Sequence, residues 1–142
     1  MREALALLGF RLVAKDIEAP AELHLDAGKG QRRIALLEVE AGIEAITMDG
    51  HYRLRRRLEE AIAEGQPKRG LLIINGYRTK APSERPAQYT EPLRTAAESL
   101  RYCIATTQQL FHAVRAELAG DEATVAAFRE RLLTTEGILQ ED

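Results

Sequence analysis

Two glutamates lie one residue apart near the end of an apolar segment, IALLEVEAGIEA at residues 34–45. Side chains in a strand alternate between the two faces, so Glu38 and Glu40 project from the same face. Neighbouring carboxylates repel each other unless a cation or an exposed position relieves the repulsion. Hard divalent cations such as Mg²⁺ are held by one or two carboxylates together with water. The pair therefore predicts either a metal site or a solvent-facing acidic edge neutralised by Arg32 or Arg33.

The upstream segment AELHLD supplies further candidate ligands on the strand that we expect to lie beside this pair. Glu22 is the first candidate, and His24 shares its strand face because the two are two residues apart. Asp26 is the second candidate, although a hairpin turn explains an aspartate there equally well. Glu22, Glu38 and Asp26 are thus the predicted Mg²⁺ ligands.

A basic segment, RLRRRLEE, follows the acidic pair, and we expect it to lie on a helix. Its four arginines could hold a phosphate backbone beside an acidic metal cluster. The alternative is a solvated helix face crossed by ion pairs, since Arg56 and Glu60 have the i,i+4 spacing that favours them.

A second basic cluster follows the apolar run GLLIIN and contains Arg78, Lys80 and Arg85. Ligand sites in open α/β sheets gather just beyond the carboxyl ends of the strands. These three residues are therefore predicted to contact nucleic acid through its phosphates. The alternative is a structural loop in which Arg85 pairs with Glu84 or Glu91 and the prolines stiffen the connection.

The helices and strands that must position these residues are predicted from the spacing of apolar residues and from the glycines and prolines between the segments. We expect helices in REALALL, HYRLRRRLEEAIAEG, EPLRTAAESLRY, TTQQLFHAVRAELAG and DEATVAAFRERLLTT, and strands in FRLVA, AELHLD, RRIALLEVE, GIEAITM, GLLIIN and CIATT. The second and third strands should form a hairpin about DAGKG. Strands in a meander followed by strand–helix alternation predict an α/β domain with a mixed sheet and helices on both faces. GLLIIN should be its central parallel strand.

Bulk properties set limits on location and partners. The chain has 142 residues, which predicts one domain over residues 1–142, and a formal net charge of -2, which gives no global attraction to nucleic acid. The single cysteine, Cys103, cannot form an internal disulfide, and it is expected to be a buried core residue. We see no signal peptide, membrane span or phosphate-binding glycine loop and expect a cytoplasmic protein without a membrane partner.

Element order and motifs together resemble the restriction-endonuclease-like (PD-(D/E)xK) superfamily. The resemblance covers residues 5–137 and is closest to small bacterial domains with equivalents of GLLIIN, of the APSER loop and of TTQQLF. It implies a Mg²⁺-dependent nuclease in which an acid and a Glu-x-Lys motif hold the metal and activate water. By position, Glu22 matches the acid and Glu38 the glutamate, while Glu40 stands where the lysine is expected. Glu22, Glu38 and Glu40 are the catalytic residues that the resemblance implies.

Two functions remain open on these grounds. The first is Mg²⁺-dependent phosphodiester hydrolysis with a variant acidic site, in which Lys15 or Lys80 replaces the missing lysine. The alternative is a catalytically inactive interaction, oligomerisation or regulatory module of the same fold. The amphipathic C-terminal helices would then serve a homodimer, or fused or partner signalling domains.

Overall fold

A computed structural model describes residues 1–14, 21–26 and 32–141. The helices in these residues are α1 (Arg2–Leu7), α2 (Asp49–Ala63), α3 (Glu91–Leu100), α4 (Thr107–Leu118) and α5 (Glu122–Thr134). The strands are β1 (Arg11–Val13), β2 (Ala21–Asp26), β3 (Arg32–Ala41), β4 (Arg69–Asn75), β5 (Cys103–Thr106) and β6 (Gly137–Ile138).

The six strands form one sheet whose spatial order follows the chain, from β1 at one edge to β6 at the other. The β1–β2 and β2–β3 pairs are antiparallel. β3, β4, β5 and β6 run parallel and are connected by helices that cross over the sheet. The predicted α/β class and mixed sheet are therefore confirmed, and so is the parallel pairing of β4 on both sides.

The hydrophobic core lies on both faces of this sheet. One face, here called the α4 face, is covered by α1, α4 and α5, whose buried side chains include Leu110 and Phe128. The opposite α2 face is covered by α2 and α3, with Leu54 and Leu93 fully buried. Alternate residues of β4 contribute to the two cores, which explains its uninterrupted apolar sequence. Burying each such leucine contributes about 1.5–3 kcal/mol.

Side-chain caps begin three helices. Thr90 accepts a backbone hydrogen bond in the first turn of α3, and Asp121 does the same for α5. Thr106 and Gln109 form a capping box, with distances of 3.1 Å from Gln109 N to Thr106 Oγ1 and 2.9 Å from Thr106 N to Gln109 Oε1. These caps satisfy amide groups that have no partner inside the helix.

Two of the predicted details differ from the structure. GIEAITM is not a strand, because the chain bends away from the sheet after β3 and makes only one isolated bridge, between Ile46 and Tyr89. Ile46 is buried in the α2-face core, which satisfies its apolar side chain without a strand partner. β6 was not predicted, since two residues are too few to show an alternating pattern.

Within residues 1–14, 21–26 and 32–141, no helix combines the length and apolar character that crossing a bilayer requires.

Candidate functional site

The three predicted acids lie on the α2 face of the sheet. Leu36 belongs to the core of that face, and Glu38 and Glu40 follow it at two-residue intervals along β3. Leu23 of β2 belongs to the opposite core, so its neighbour Glu22 projects to the α2 face. Glu22 is paired directly with Leu36 in the β2–β3 ladder. The acids therefore occupy adjacent positions beneath α2.

Arg53 of α2 lies between the two glutamates of β3. Its Nη2 donates a hydrogen bond to Glu40 Oε2, and its Nε lies 3.4 Å from Glu38 Oε2. The hydrogen bond to Glu40 raises the pKa of Arg53, and this outweighs the opposing effect of partial burial. The guanidinium thus relieves the repulsion that two neighbouring carboxylates would otherwise have.

Arg57, one helical turn further along α2, is buried at 8% exposure. Its Nη1 donates to Leu37 O at 2.8 Å and to Glu38 Oε1 at 3.2 Å, and its Nη2 donates to Ala21 O at 2.6 Å. One side chain therefore ties α2 to both β2 and β3. A planar guanidinium with five donors is suited to this, because it can satisfy several acceptors at once.

Glu22 has cationic and imidazole partners of its own. Its Oε1 lies 3.0 Å from Lys68 Nζ, and its Oε2 accepts a hydrogen bond of 3.0 Å from His24 Nε2. Partial burial raises the pKa of Glu22. The hydrogen bonds from Lys68 and His24 lower it by a larger amount in total, so the pKa of Glu22 lies below the usual value. Glu22 is therefore held as a carboxylate by groups of the same domain.

Gly50 allows the first turn of α2 to approach the acids closely. A Cβ atom at this position would lie 3.0 Å from Leu72 Cδ1 and 3.4 Å from Glu40 Oε2. A methyl group here would press on the end of the Leu72 side chain, which would have to shift by a few tenths of an ångström. The short approach is what brings Arg53 within reach of Glu38 and Glu40.

This arrangement fits Mg²⁺ poorly. Mg²⁺ requires nearly octahedral oxygen ligands at about 2.0–2.1 Å. Both oxygens of Glu22 and of Glu38, and one of Glu40, already contact cationic or imidazole groups. Among residues 1–14, 21–26 and 32–141, no three His, Cys, Asp or Glu side chains are grouped so that they could hold a metal ion.

The remaining predicted ligand stands apart from these acids. Asp26 is paired with Arg32 at the far end of the β2–β3 ladder, and its side chain lies outside the described residues. Arg32 and Glu38 are six residues apart, about 20 Å along a strand. Lys15 and the predicted DAGKG turn at 26–30 also fall largely outside the described residues, so those predictions stay predictions.

The loop after β4 is organised around Arg85. Its Nη1 donates to Asn75 Oδ1 at 2.8 Å, and its Nε donates to Lys80 O at 3.1 Å. Arg85 therefore holds the loop together through Asn75 and a carbonyl, and not through Glu84 or Glu91. Arg78 and Lys80 extend from the same loop into solvent.

The basic segment of α2 combines the two alternatives that its sequence left open. Arg55 and Arg56 form i,i+4 ion pairs with Glu59 and Glu60, as expected for a solvated face. Arg53 and Arg57 instead turn toward the sheet. Arg33, one of the two predicted neutralising residues, pairs with Glu130 of α5 at 2.5 Å.

Sequence reasoning missed Arg53, Arg57 and Lys68 as partners of the acids. A signal for Arg57 was present, because it falls within the buried stripe of α2 that also contains Leu54 and Ala61. An arginine inside an apolar helical stripe requires acceptors on the surface it covers. The acidic face of the sheet is the surface that supplies them.

Two other reactive side chains are buried away from these acids. His51 Nδ1 lies 2.7 Å from the hydroxyl of Tyr102, and burial, helped by the charge of Arg55, lowers the pKa of His51. Cys103 is fully buried, which confirms its predicted core position and raises the pKa of its thiol to about 12. Neither group is placed to act as a nucleophile or base at the surface.

Comparison with known proteins adds no relative to this description. No family model, no curated protein and no solved structure matches the chain. The α2 face and the loop after β4 are therefore the features from which a function can be inferred.

Proposed function

We propose that this chain is a restriction-endonuclease-like domain without catalytic activity, which serves as an interaction or regulatory module. The observation that carries the proposal is the occupation of the acidic face by Arg53 and Arg57. Their guanidinium groups contact the carboxylates that the resemblance would assign to Mg²⁺. A metal ion would have to displace a hydrogen-bonded guanidinium and then lie beside a second positive charge.

The family part of the proposal draws support from the order and pairing of the elements. A helix, an antiparallel meander and a helical crossover to a parallel central strand follow one another in the order that the resemblance implies. Glu22 and the Glu38–Glu40 pair lie on the expected adjacent strands. Glu40 stands where the superfamily motif has a lysine. Its ion pair with Arg53 gives Glu40 a structural role, because it helps to hold α2 on the sheet.

The absence of catalysis is testable with metal titration and a nicking assay. Calorimetric titration of the wild-type chain with Mg²⁺ and Mn²⁺ should give no binding heat, and supercoiled plasmid should stay intact. Arg53→Ala should permit weak Mn²⁺ binding, because it leaves Glu40 without its cationic partner and frees Glu38 Oε2, although Arg57 still contacts Glu38 Oε1. Arg56→Ala, which removes an exposed arginine from the same helix, is the matched control and should not.

Hydrolysis by the variant acidic site is the competing function. Metal-dependent nicking by the wild type that is lost in Glu38→Ala would establish it and would overturn our proposal. Nicking that persists unchanged in Glu38→Ala would show that the activity does not come from these acids.

A further inference from the structure

We propose that the turn at residues 77–80, with the adjoining Ile43, is a docking surface for an acidic segment of a protein partner. We call this surface the Tyr77 turn. The inference rests on the proposed function, because it names the kind of partner that the interaction module would bind. The surface lies beyond the carboxyl end of β4, where ligand sites gather in open α/β sheets.

The first observation is that the Tyr77 turn carries two exposed cations without acidic partners. Within the described part of the chain, neither Arg78 nor Lys80 has a carboxylate within 4.0 Å. Arg55, by contrast, forms a 3.0 Å ion pair with Glu59. Unpaired cations retain their charge for an incoming anionic group.

The second observation is that the backbone of the turn is held in place from several sides. Arg85 binds Asn75 and the carbonyl of Lys80, and Gly76 N donates to the buried Gln88 Oε1 at 2.9 Å. A Cβ at Gly76 would lie 2.7 Å from Gln88 O, so this close approach requires glycine. A surface fixed before binding loses less conformational entropy when a partner arrives.

The third observation is the apolar and aromatic surface beside the two cations. Lys80 Nζ lies 5.2 Å from the centre of the Tyr77 ring, a distance at which a cation and an aromatic face attract. Arg78 N donates to Gly42 O at 3.0 Å, which brings the turn against Ile43, whose side chain is 59% exposed. Apolar, aromatic and cationic residues are thus carried by two segments that a backbone hydrogen bond joins.

This combination suits an acidic protein segment better than nucleic acid. Proteins that bind DNA strongly can make about six to ten contacts between lysine or arginine side chains and phosphates. Here the chain has a net charge of -2, and the turn offers only Arg78 and Lys80. Ile43 adds an apolar contact that a phosphate cannot use but that a leucine or phenylalanine of a peptide can.

Phage display of random 12-residue peptides can test the docking surface without knowledge of the partner. Selection on the wild type should enrich peptides that contain both acidic and large apolar residues. Anisotropy measurements with an enriched peptide should show about tenfold weaker binding to the double variant Arg78→Ala/Lys80→Ala, since each exposed ion pair contributes up to about fivefold. Ile43→Ala should weaken binding further, and 300 mM KCl should weaken it in the wild type.

Arg55→Ala/Arg56→Ala is the matched control, because it removes the same charge from exposed sites on another surface, and it should bind the peptide as the wild type does. No acidic enrichment, or equal binding by both double variants, would overturn the proposal. Tighter binding of a 12-nucleotide oligo-dT that depends on Arg78 and Lys80 would also overturn it in favour of nucleic acid. Metal-dependent nicking concerns the α2 face alone, so this proposal and the proposed function fail on separate results.

Discussion

Arg57 is a buried polar link between α2 and the sheet. Its guanidinium satisfies Glu38 and the carbonyl groups of Leu37 and Ala21, and only 8% of the residue is exposed. Removing one partner of a buried charge pair leaves the remaining groups desolvated and unpaired. At the residue scale, the arginine that fills the acidic face is therefore also a structural clamp.

We expect Arg57→Ala to lower the free energy of unfolding by about 3 kcal/mol. Urea denaturation followed by circular dichroism would measure it. Arg56→Ala, whose side chain is 77% exposed, should cost less than about 0.5 kcal/mol. Equal losses in the two variants would show that the buried contacts of Arg57 contribute nothing beyond those of a surface arginine.

At the scale of elements, α4 begins with a capping box that also reaches the last strand. Gln109 Oε1 accepts from Thr106 N, and its Nε2 donates to Leu139 O at 2.7 Å. One glutamine thus joins the start of α4 to the chain that follows β6. We expect this contact to fix the C-terminal segment against the helix.

Replacing Gln109 should therefore cost more than replacing the other residue of the box. Thr106→Ala removes one cap and should lower the free energy of unfolding by about 1 kcal/mol. Gln109→Ala removes hydrogen bonds at both ends of its side chain and should cost about 2 kcal/mol. Hydrogen exchange at the Leu139 amide, which donates to Ile104 O at 2.8 Å, should accelerate only in Gln109→Ala. Acceleration in both variants would contradict a stabilising role for the hydrogen bond from Gln109 to Leu139 that is separate from the cap.

These elements show what a sequence can predict here. Helix starts at Thr90, Thr106 and Asp121 were predictable, because capping depends on residues close together in the chain. Strand alternation likewise placed Glu38 and Glu40 on one face. The partners of those acids were not predictable in the same way, since they depend on how α2 is rotated and how closely Gly50 lets it approach. The buried stripe of α2 pointed to Arg57 as a residue that needs acceptors, but it did not identify which acceptors, because those lie far away in the chain.

At the scale of the whole molecule, two titrating groups on the α2 face make stability depend on pH in two windows. Burial and Arg55 keep the pKa of His51 below its ordinary value of 6.5. The unfolded chain therefore binds a proton at His51 more readily than the folded chain does. As a result, the free energy of unfolding decreases as pH falls below about 6.5. Glu22 has a pKa below its ordinary value of 4.5, so its contribution is present above that pH and is lost as pH falls further.

Two variants that replace a titrating side chain by an uncharged amide should separate these windows. His51→Gln should flatten the decline in unfolding free energy between pH 7 and pH 5 and leave the decline at lower pH in place. Glu22→Gln should flatten the decline at pH values below about 4.5 and leave the decline between pH 7 and pH 5 in place. Urea denaturation across this pH range would measure both curves, and a wild-type curve that matches His51→Gln between pH 7 and pH 5 would rule out the role of His51.

The strand order has a consequence for how the molecule is made. Each strand pairs with the one that precedes it in the chain, so the sheet can grow in the direction of synthesis. The core of the α2 face draws its buried residues from positions 36 to 104, whereas that of the α4 face extends from Leu5 to Leu139. A nascent chain that has just completed β5 thus has the core of its α2 face complete, whereas its α4 face still lacks α4 and α5. We expect such a ribosome-bound intermediate to bind holding chaperones. Cross-linking of arrested chains should therefore detect a chaperone on chains that end near residue 106. The same contact should be lost on chains that end near residue 135.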